Sequence, residues 1–160
     1  MEAWHDFLIT VAGASAALVG LLFVGLSINL DQLLEIPHLL LRAAASLLTL
    51  TSTLIISCLL LAPDASLAVY GLSILVVSLA TWGAVTYLGI RAVGRAPDSN
   101  RTHQVLALVG LQLATLPTVM AGVMVWQREE EGLNWLVPAF LIAFGAVMVN
   151  SWVLTVESRR

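Results

Sequence analysis

The stretch between Phe7 and Ile28 carries no charged residue, and nearly all of its side chains are apolar or small. At about 1.5 Å per residue, a helix of this length crosses the roughly 30 Å hydrocarbon core of a bilayer. Polar backbone groups in that core must be bonded within the protein, and a helix achieves this within one segment. The stretch therefore predicts a transmembrane helix and restricts the chain to folds that suit a membrane.

Four further apolar segments of similar length follow, separated by short polar connections. With 59% hydrophobic and 11% charged residues, the 160-residue chain has the composition of an integral membrane protein. We expect an all-α bundle of five transmembrane helices that forms a single transmembrane domain over residues 1–160. The predicted helices cover residues 7–28, 39–61, 67–90, 104–126 and 135–156. The longest polar segment, residues 91–103, is predicted as a loop.

The distribution of arginine predicts the orientation. Five spans place the two termini on opposite sides, and cytoplasmic segments are the ones rich in Arg and Lys. One side would hold Arg42, Arg91, Arg95, Arg101, Arg159 and Arg160, and the other only Arg128. We therefore expect the N-terminus outside and the C-terminus in the cytoplasm, in a multi-pass protein of the bacterial inner membrane. Arg42, in the first turn of the second span, is expected to extend to the lipid headgroups.

Two helices carry faces of small residues, where another helix can approach closely. The first small-residue face, on the first span, consists of Ala12, Gly13, Ala16 and Gly20. The second small-residue face, on the fifth span, consists of Ala139, Ala143, Ala146 and Asn150. We expect the first helix to be the packing centre of the bundle. Because one bundle does not obviously need both faces, we also expect a homo-oligomer, with Gly20 important for the fold and Ala143 for assembly.

The polar residues expected in the membrane interior are neutral. Candidates to line a pore are Ser46, Thr49, Thr53, Ser57, Gln112 and Thr115. They could border a water-filled path, or they could bond neighbouring helices, as such side chains routinely do. No acidic or basic residue is expected in the middle of a span, which disfavours proton relays and coupled transport.

The sequence contains no recognisable catalytic motif, nucleotide-binding loop or basic cluster for nucleic acid. His38 and His103 would both lie at the cytoplasmic side, where a metal or proton site is conceivable and solvated interface residues are the default. We therefore expect no enzyme activity, cofactor or metal. The expected partners are membrane lipid and further copies of the chain, and the alternative hypothesis adds another membrane protein.

The segment GASAALVGLLFVGLSINLDQLLEIPHLLLRA resembles the opening of a group of small bacterial integral membrane proteins. Some members of that group carry the label "modulator of FtsH protease", and the resemblance covers roughly residues 10–45. It implies a regulatory partner in the inner membrane and transfers no site residue.

Two functional hypotheses follow. The favoured one is a homo-oligomeric passive pore for small ions or solutes, since a channel needs neutral oxygens and amides along its path and no buried charge. The alternative is a regulatory or scaffolding membrane subunit that acts on another membrane protein, such as a membrane-bound protease.

Overall fold

The computed structural model describes residues 2–63 and 66–157, with side chains described in these ranges except at residues 2, 3, 32, 33, 98–100, 130 and 153–157. All regular structure in the described chain is helical. The α-helices are α1 (Glu2–Ile28), α2 (Leu30–Glu35), α3 (Pro37–Leu61), α4 (Leu67–Arg95), α5 (Asp98–Trp126) and α6 (Leu136–Glu157), and a 3₁₀ helix covers Glu130–Trp135. Five of them, all but the short α2, are long and apolar enough to cross a membrane, which confirms the predicted all-α class and the five spans.

The polar segment 91–103, predicted as a loop, is instead helical on both sides of a two-residue break. α4 continues to Arg95 and α5 begins at Asp98. Pro97 disfavours the helical conformation of the residue before it, and Ala96 has extended angles, φ −76° and ψ 140°. The change from apolar to polar composition marks where the apolar span ends, whereas the proline marks where the helix ends.

The sequence also predicts four other helix ends: Asn29 ends the first span, Pro37 opens the second, Asp64 or Ser66 caps the third, and Asn134 caps the fifth. α1 ends just before Asn29 and α3 begins at Pro37, both as predicted. The Ser66 hydroxyl accepts a hydrogen bond from the Val69 N–H at 3.4 Å and caps α4; Asp64, the alternative cap, lies outside the described residues. Asn134 does not cap the last helix, because it lies within the 3₁₀ helix that precedes Leu136.

The packing centre is α3, and the prediction that the first helix is central is wrong. α3 packs against α1, α4 and α6, and 50% of its most apolar window is buried, against 22% for α1. The residues that α1 buries are Leu8, Val11, Ser15 and Leu22. At about 100° per residue, these four form one stripe on the side of α1 largely opposite its small residues.

The closest helix contact joins α4 and α5, which run antiparallel. A Cβ atom added to Gly71 would collide with the backbone of Trp126, and one added to Gly122 would lie 2.8 Å from the Leu75 Cα. Glycine is therefore required at both positions, since the backbones approach too closely for any side chain. The sequence interpretation assigned this role to glycines on α1 and missed Gly71 and Gly122.

The two ends of the bundle differ in chemistry. At the end where α1 begins, Leu8, Ile56, Tyr70, Val125 and Phe140 form an apolar core. At the opposite end, where α3 and α5 begin and α4 and α6 end, buried polar side chains approach one another. That second end, called here the arginine-rich end, carries Arg42, Arg91, Arg95 and Arg101.

Candidate functional site

Arg42 lies inside the bundle and not at its surface, which corrects the expectation that it extends to the headgroups. It is about 7.5 Å along the α3 axis from Pro37, and only 5% of its side chain is exposed. Its Nε and Nη2 atoms donate hydrogen bonds to Asn150 Oδ1 on α6, at 3.1 and 2.6 Å. A charged group buried in a bundle requires such partners, because burial removes it from water.

The same hydrogen-bonded group extends to a second residue of α3. Asn150 Nδ2 donates to Ser46 Oγ at 3.2 Å, so the amide is bonded to α3 through both of its polar atoms. Ser46 and Asn150 were predicted separately, as a pore-lining and a packing residue. Their positions along the helices could have linked them to Arg42. All three residues lie within a few turns of a helix end, and these helix ends meet at the arginine-rich end.

The other hydroxyls predicted to line a pore on α3 are bonded to α3 itself. Thr49 donates to the Ala45 carbonyl at 2.9 Å, Thr53 to the Thr49 carbonyl at 3.0 Å, and Ser57 to the Thr53 carbonyl at 2.9 Å. These three side chains and Ser46 are buried within the bundle. Bonds of this kind satisfy a hydroxyl inside an apolar environment without water.

Gln112 and Thr115, the two candidate pore-lining residues on α5, lie near Pro117. The helix continues through this proline. Gln112 Nε2 donates to Thr86 Oγ1 on α4 at 2.7 Å, a bond between neighbouring helices. The buried Thr115 hydroxyl donates to the Leu111 carbonyl at 2.9 Å, and Thr118 donates to the Thr115 carbonyl at 2.7 Å. These hydroxyls bond the carbonyls of Leu111 and Thr115, whereas the carbonyl that loses its usual helical donor at Pro117 is that of Leu113.

The two small-residue faces have different surroundings. On the first face, Gly13, Ala16 and Gly20 are exposed and Ala12 is half-buried, and an added Cβ at either glycine would meet no atom within 4 Å. On the second face, Ala139, Ala143 and Asn150 are buried and Ala146 is half-buried. Within the chain, Ala143 therefore packs against other residues and Gly20 does not.

A cleft of about 290 Å³ lies between α5 and α6 at the arginine-rich end. Its polar wall consists of Arg42, Asn150 and His103, and space is left by the absent side chains of Gly110 and Gly145. This α5–α6 cleft brings together residues from the second, fourth and fifth spans that the sequence did not connect.

A much smaller space, about 10 Å³, lies beside Arg42 and is lined by Gln104 from the start of the fourth span. Gln104 is 2% exposed, and within the described part of the chain its Nε2 has no hydrogen-bond partner. The volume suits about one water molecule. Gln104 was missed as a site residue, because a glutamine at the start of an apolar span is typical of the interface.

The histidines do not form a metal centre with described neighbours. His38 is buried on α3, whereas His103 is exposed at the mouth of the α5–α6 cleft. Among residues with described side chains, no three His, Cys, Asp or Glu residues are close enough to hold a metal ion together.

Comparisons with protein-family models, with curated proteins and with solved structures found no match to this chain.

Proposed function

We propose that the protein is a non-enzymatic scaffolding subunit of the bacterial inner membrane, and that its first helix pairs with the first helix of a second copy. The observation that carries this proposal is the exposed first small-residue face. Ala12, Ala16 and Gly20 are four residues apart, the spacing that lets two membrane helices approach closely. A second copy fits because the face can match itself about a two-fold axis.

The burial of the hydroxyls favours scaffolding over the pore. A pore formed between copies is lined by the outer surfaces of the bundles, which must present polar groups to water. Thr49, Thr53 and Ser57 are inside the bundle, and their donors are already used on the backbone of α3. The exposed surface of α1 includes Leu21, Phe23 and Val24, which suit contact with lipid or another helix.

The proposed orientation has the N-terminus outside. The described cations Arg42, Arg91, Arg95 and Arg101 belong to the arginine-rich end, and Arg128 lies at the other; Arg159 and Arg160 lie outside the described residues. The excess of arginine supports a cytoplasmic arginine-rich end. Labelling with an impermeant thiol reagent in intact cells tests this on a Cys58→Ser background, because Cys58 is exposed. Glu129→Cys should be labelled and Arg95→Cys should not; the opposite pattern would overturn the orientation.

Association is tested by native mass spectrometry of the protein released from lipid nanodiscs. Wild-type protein should be released as a homo-oligomer, whereas Gly20→Leu should be monomeric because the added side chain separates the two helices. Gly83→Leu is the matched control, since Gly83 is also exposed with open space around it but lies on α4.

Two other results would reject pairing with a second copy. A wild-type monomer in nanodiscs, accompanied by a stoichiometric foreign membrane protein after gentle purification, would favour the regulatory alternative that the resemblance implies. Ion flux into liposomes containing wild-type protein, above that of empty liposomes, would favour the pore.

A further inference from the structure

We propose that a groove between α1 and α6 holds one acyl chain of a membrane glycerolipid, whose headgroup lies at the arginine-rich end. The groove has a volume of about 480 Å³, which is within the usual range of a small-molecule site. It is formed within one chain, and at about 100° per residue it lies on the side of α1 away from the first small-residue face. The proposal is therefore independent of the pairing of α1 with a second copy.

The α1–α6 groove has a buried floor and exposed rims. Leu22 and Val147 form the floor and are 8% and 2% exposed. Leu21 and Met148 stand at the rims, where both are exposed. Gly25 lies between floor and rim on α1, and an added Cβ there would meet no atom within 4 Å. An apolar chain on this floor has protein atoms on more than one side, so it gains more dispersion contacts than a chain on a convex helix face.

The lining of the groove is suited to an apolar ligand with a polar end. None of the described residues that line it is charged, and most are leucine, valine, methionine or glycine. Its polar groups lie towards the arginine-rich end and belong to Asn29, Ser151 and Trp152. Tryptophan is typical of the headgroup level of a membrane, so this end of the groove opens where a glycerolipid has its polar esters.

The length of the groove favours a lipid chain over a further transmembrane helix. Leu18 and Asn29 mark its extent on α1 and are about 16 Å apart along the helix axis. That distance is about half of the roughly 30 Å hydrocarbon core, which is the depth of one leaflet. In the other half α1 and α6 are in contact, because the rings of Phe7 and Phe140 are stacked with their centroids 6.4 Å apart. A helix that crosses the whole core would meet this contact, whereas an acyl chain of one leaflet ends before it.

Photo-crosslinking of the full-length protein in mild detergent tests the proposal. The probe is a phosphatidylcholine with a diazirine in one long acyl chain, and fragmentation mass spectrometry locates its adducts. Labelling at each position is divided by the labelling of protein unfolded in SDS. Leu21 and Met148 should then be labelled about tenfold more than Val76, which is exposed on α4, a ratio that corresponds to about 1.4 kcal/mol of additional dispersion contacts. Equal labelling of the groove and of α4 would overturn the proposal.

Two substitutions locate the chain. Gly25→Leu should fill the groove and lower its labelling to the level of α4, because the added side chain enters open space beside Leu22. Gly83→Leu is the matched control, since Gly83 is exposed on α4 with open space around it, and it should leave the labelling of the groove unchanged. If Gly25→Leu does not fold, Met148→Trp covers the floor from the exposed rim. Undiminished labelling in a folded variant with a filled groove would place the chain elsewhere and reject the site.

Competition between lipids tests whether the acyl chain is the part that binds. An excess of dioleoylphosphatidylcholine should compete with the probe, whereas dihexanoylphosphatidylcholine at the same concentration should not, because its chains are too short to fill the groove. Equal competition by the two lipids would show that the shared headgroup is recognised and would reject the chain as the ligand.

The oligomeric state tests whether a second copy occupies the groove instead. Gly25→Leu should leave the oligomeric state in native mass spectrometry unchanged, because Gly25 lies away from the first small-residue face. Conversion of an oligomer to a monomer by Gly25→Leu would mean that a second copy fills the groove and would reject the lipid.

Discussion

The first and second small-residue faces have similar residue types at similar spacing, but they differ in what surrounds them. The face on α6 is packed against α5 and α3, and it contains Asn150, which binds Arg42. The face on α1 remains exposed, with open space at Gly13 and Gly20. A small-residue pattern in a membrane helix therefore indicates that close approach is possible, whereas a polar residue within the pattern indicates which face is turned inward.

Among substitutions on the two faces, we expect a large loss of stability from Asn150→Ala, at the polar end of the second small-residue face. Asn150→Ala removes the acceptor of two hydrogen bonds from a buried guanidinium, and we expect the free energy of unfolding to fall by about 2 kcal/mol. Reversible unfolding in SDS measures the change. The matched control is Asn134→Ala, which removes an exposed amide and should have almost no effect. A loss below about 0.5 kcal/mol for Asn150→Ala would mean that the amide does not stabilise the arginine.

Ala143→Leu tests the apolar part of the second face. Ala143 is 2% exposed, so the larger side chain overpacks the contact and should cost about 1–3 kcal/mol in the same measurement. Gly145→Leu, two residues away on α6, adds a leucine where an added Cβ meets no atom within 4 Å. That control should unfold like the wild type. Equal free energies of unfolding for the two variants would show that burial does not determine which positions on α6 tolerate a larger side chain.

Thr53→Val tests whether the buried hydroxyls stabilise the bundle or line water. Because the Thr53 hydroxyl is bonded to the backbone of its own helix, its loss should lower the free energy of unfolding by less than the roughly 0.6 kcal/mol average of a hydrogen bond between membrane helices. Liposomes containing the wild type or the variant should show no ion flux above empty liposomes. A flux that is present in the wild type and altered by Thr53→Val would restore the pore hypothesis.

The smallest effect on folding is expected on the first face. Gly20→Leu should change the free energy of unfolding of the monomer by less than about 0.5 kcal/mol, because the side chain enters open space. Gly71→Leu, by contrast, should prevent folding, because its Cβ would collide with the backbone of Trp126. The comparison is made in dilute detergent, where association does not contribute. Strong destabilisation by Gly20→Leu would mean that α1 packs within its own chain through this face.

The number and position of the spans could be predicted because they depend on local composition alone. Hydropathy identified the five apolar segments, and Pro37 and Ser66 marked two helix starts correctly. The helical character of residues 91–95 was missed because polarity in a membrane protein is associated with loops, although arginine and alanine favour helix.

The contacts between helices could not be predicted in the same way. Lipid is as apolar as leucine, so hydrophobicity does not distinguish a helix face that meets lipid from one that meets protein. This is why α1 was expected at the centre, and why Gly71 and Gly122 were missed as the glycines where helices touch. The Arg42–Asn150 bond joins residues separated by 108 positions, and neither residue alone identifies the other.

Because Arg42 and Asn150 are 108 positions apart, they are synthesised at different times. During synthesis, α3 enters the membrane well before the chain has reached α6, so Asn150 does not yet exist when Arg42 first meets the bilayer. In that interval the arginine must be solvated at the interface by water and headgroups. α4 and α5, joined by only Ala96 and Pro97, can pair as soon as both are made, since short loops close at little entropic cost. Burial of Arg42 is thus a late event that marks arrival of the last helix.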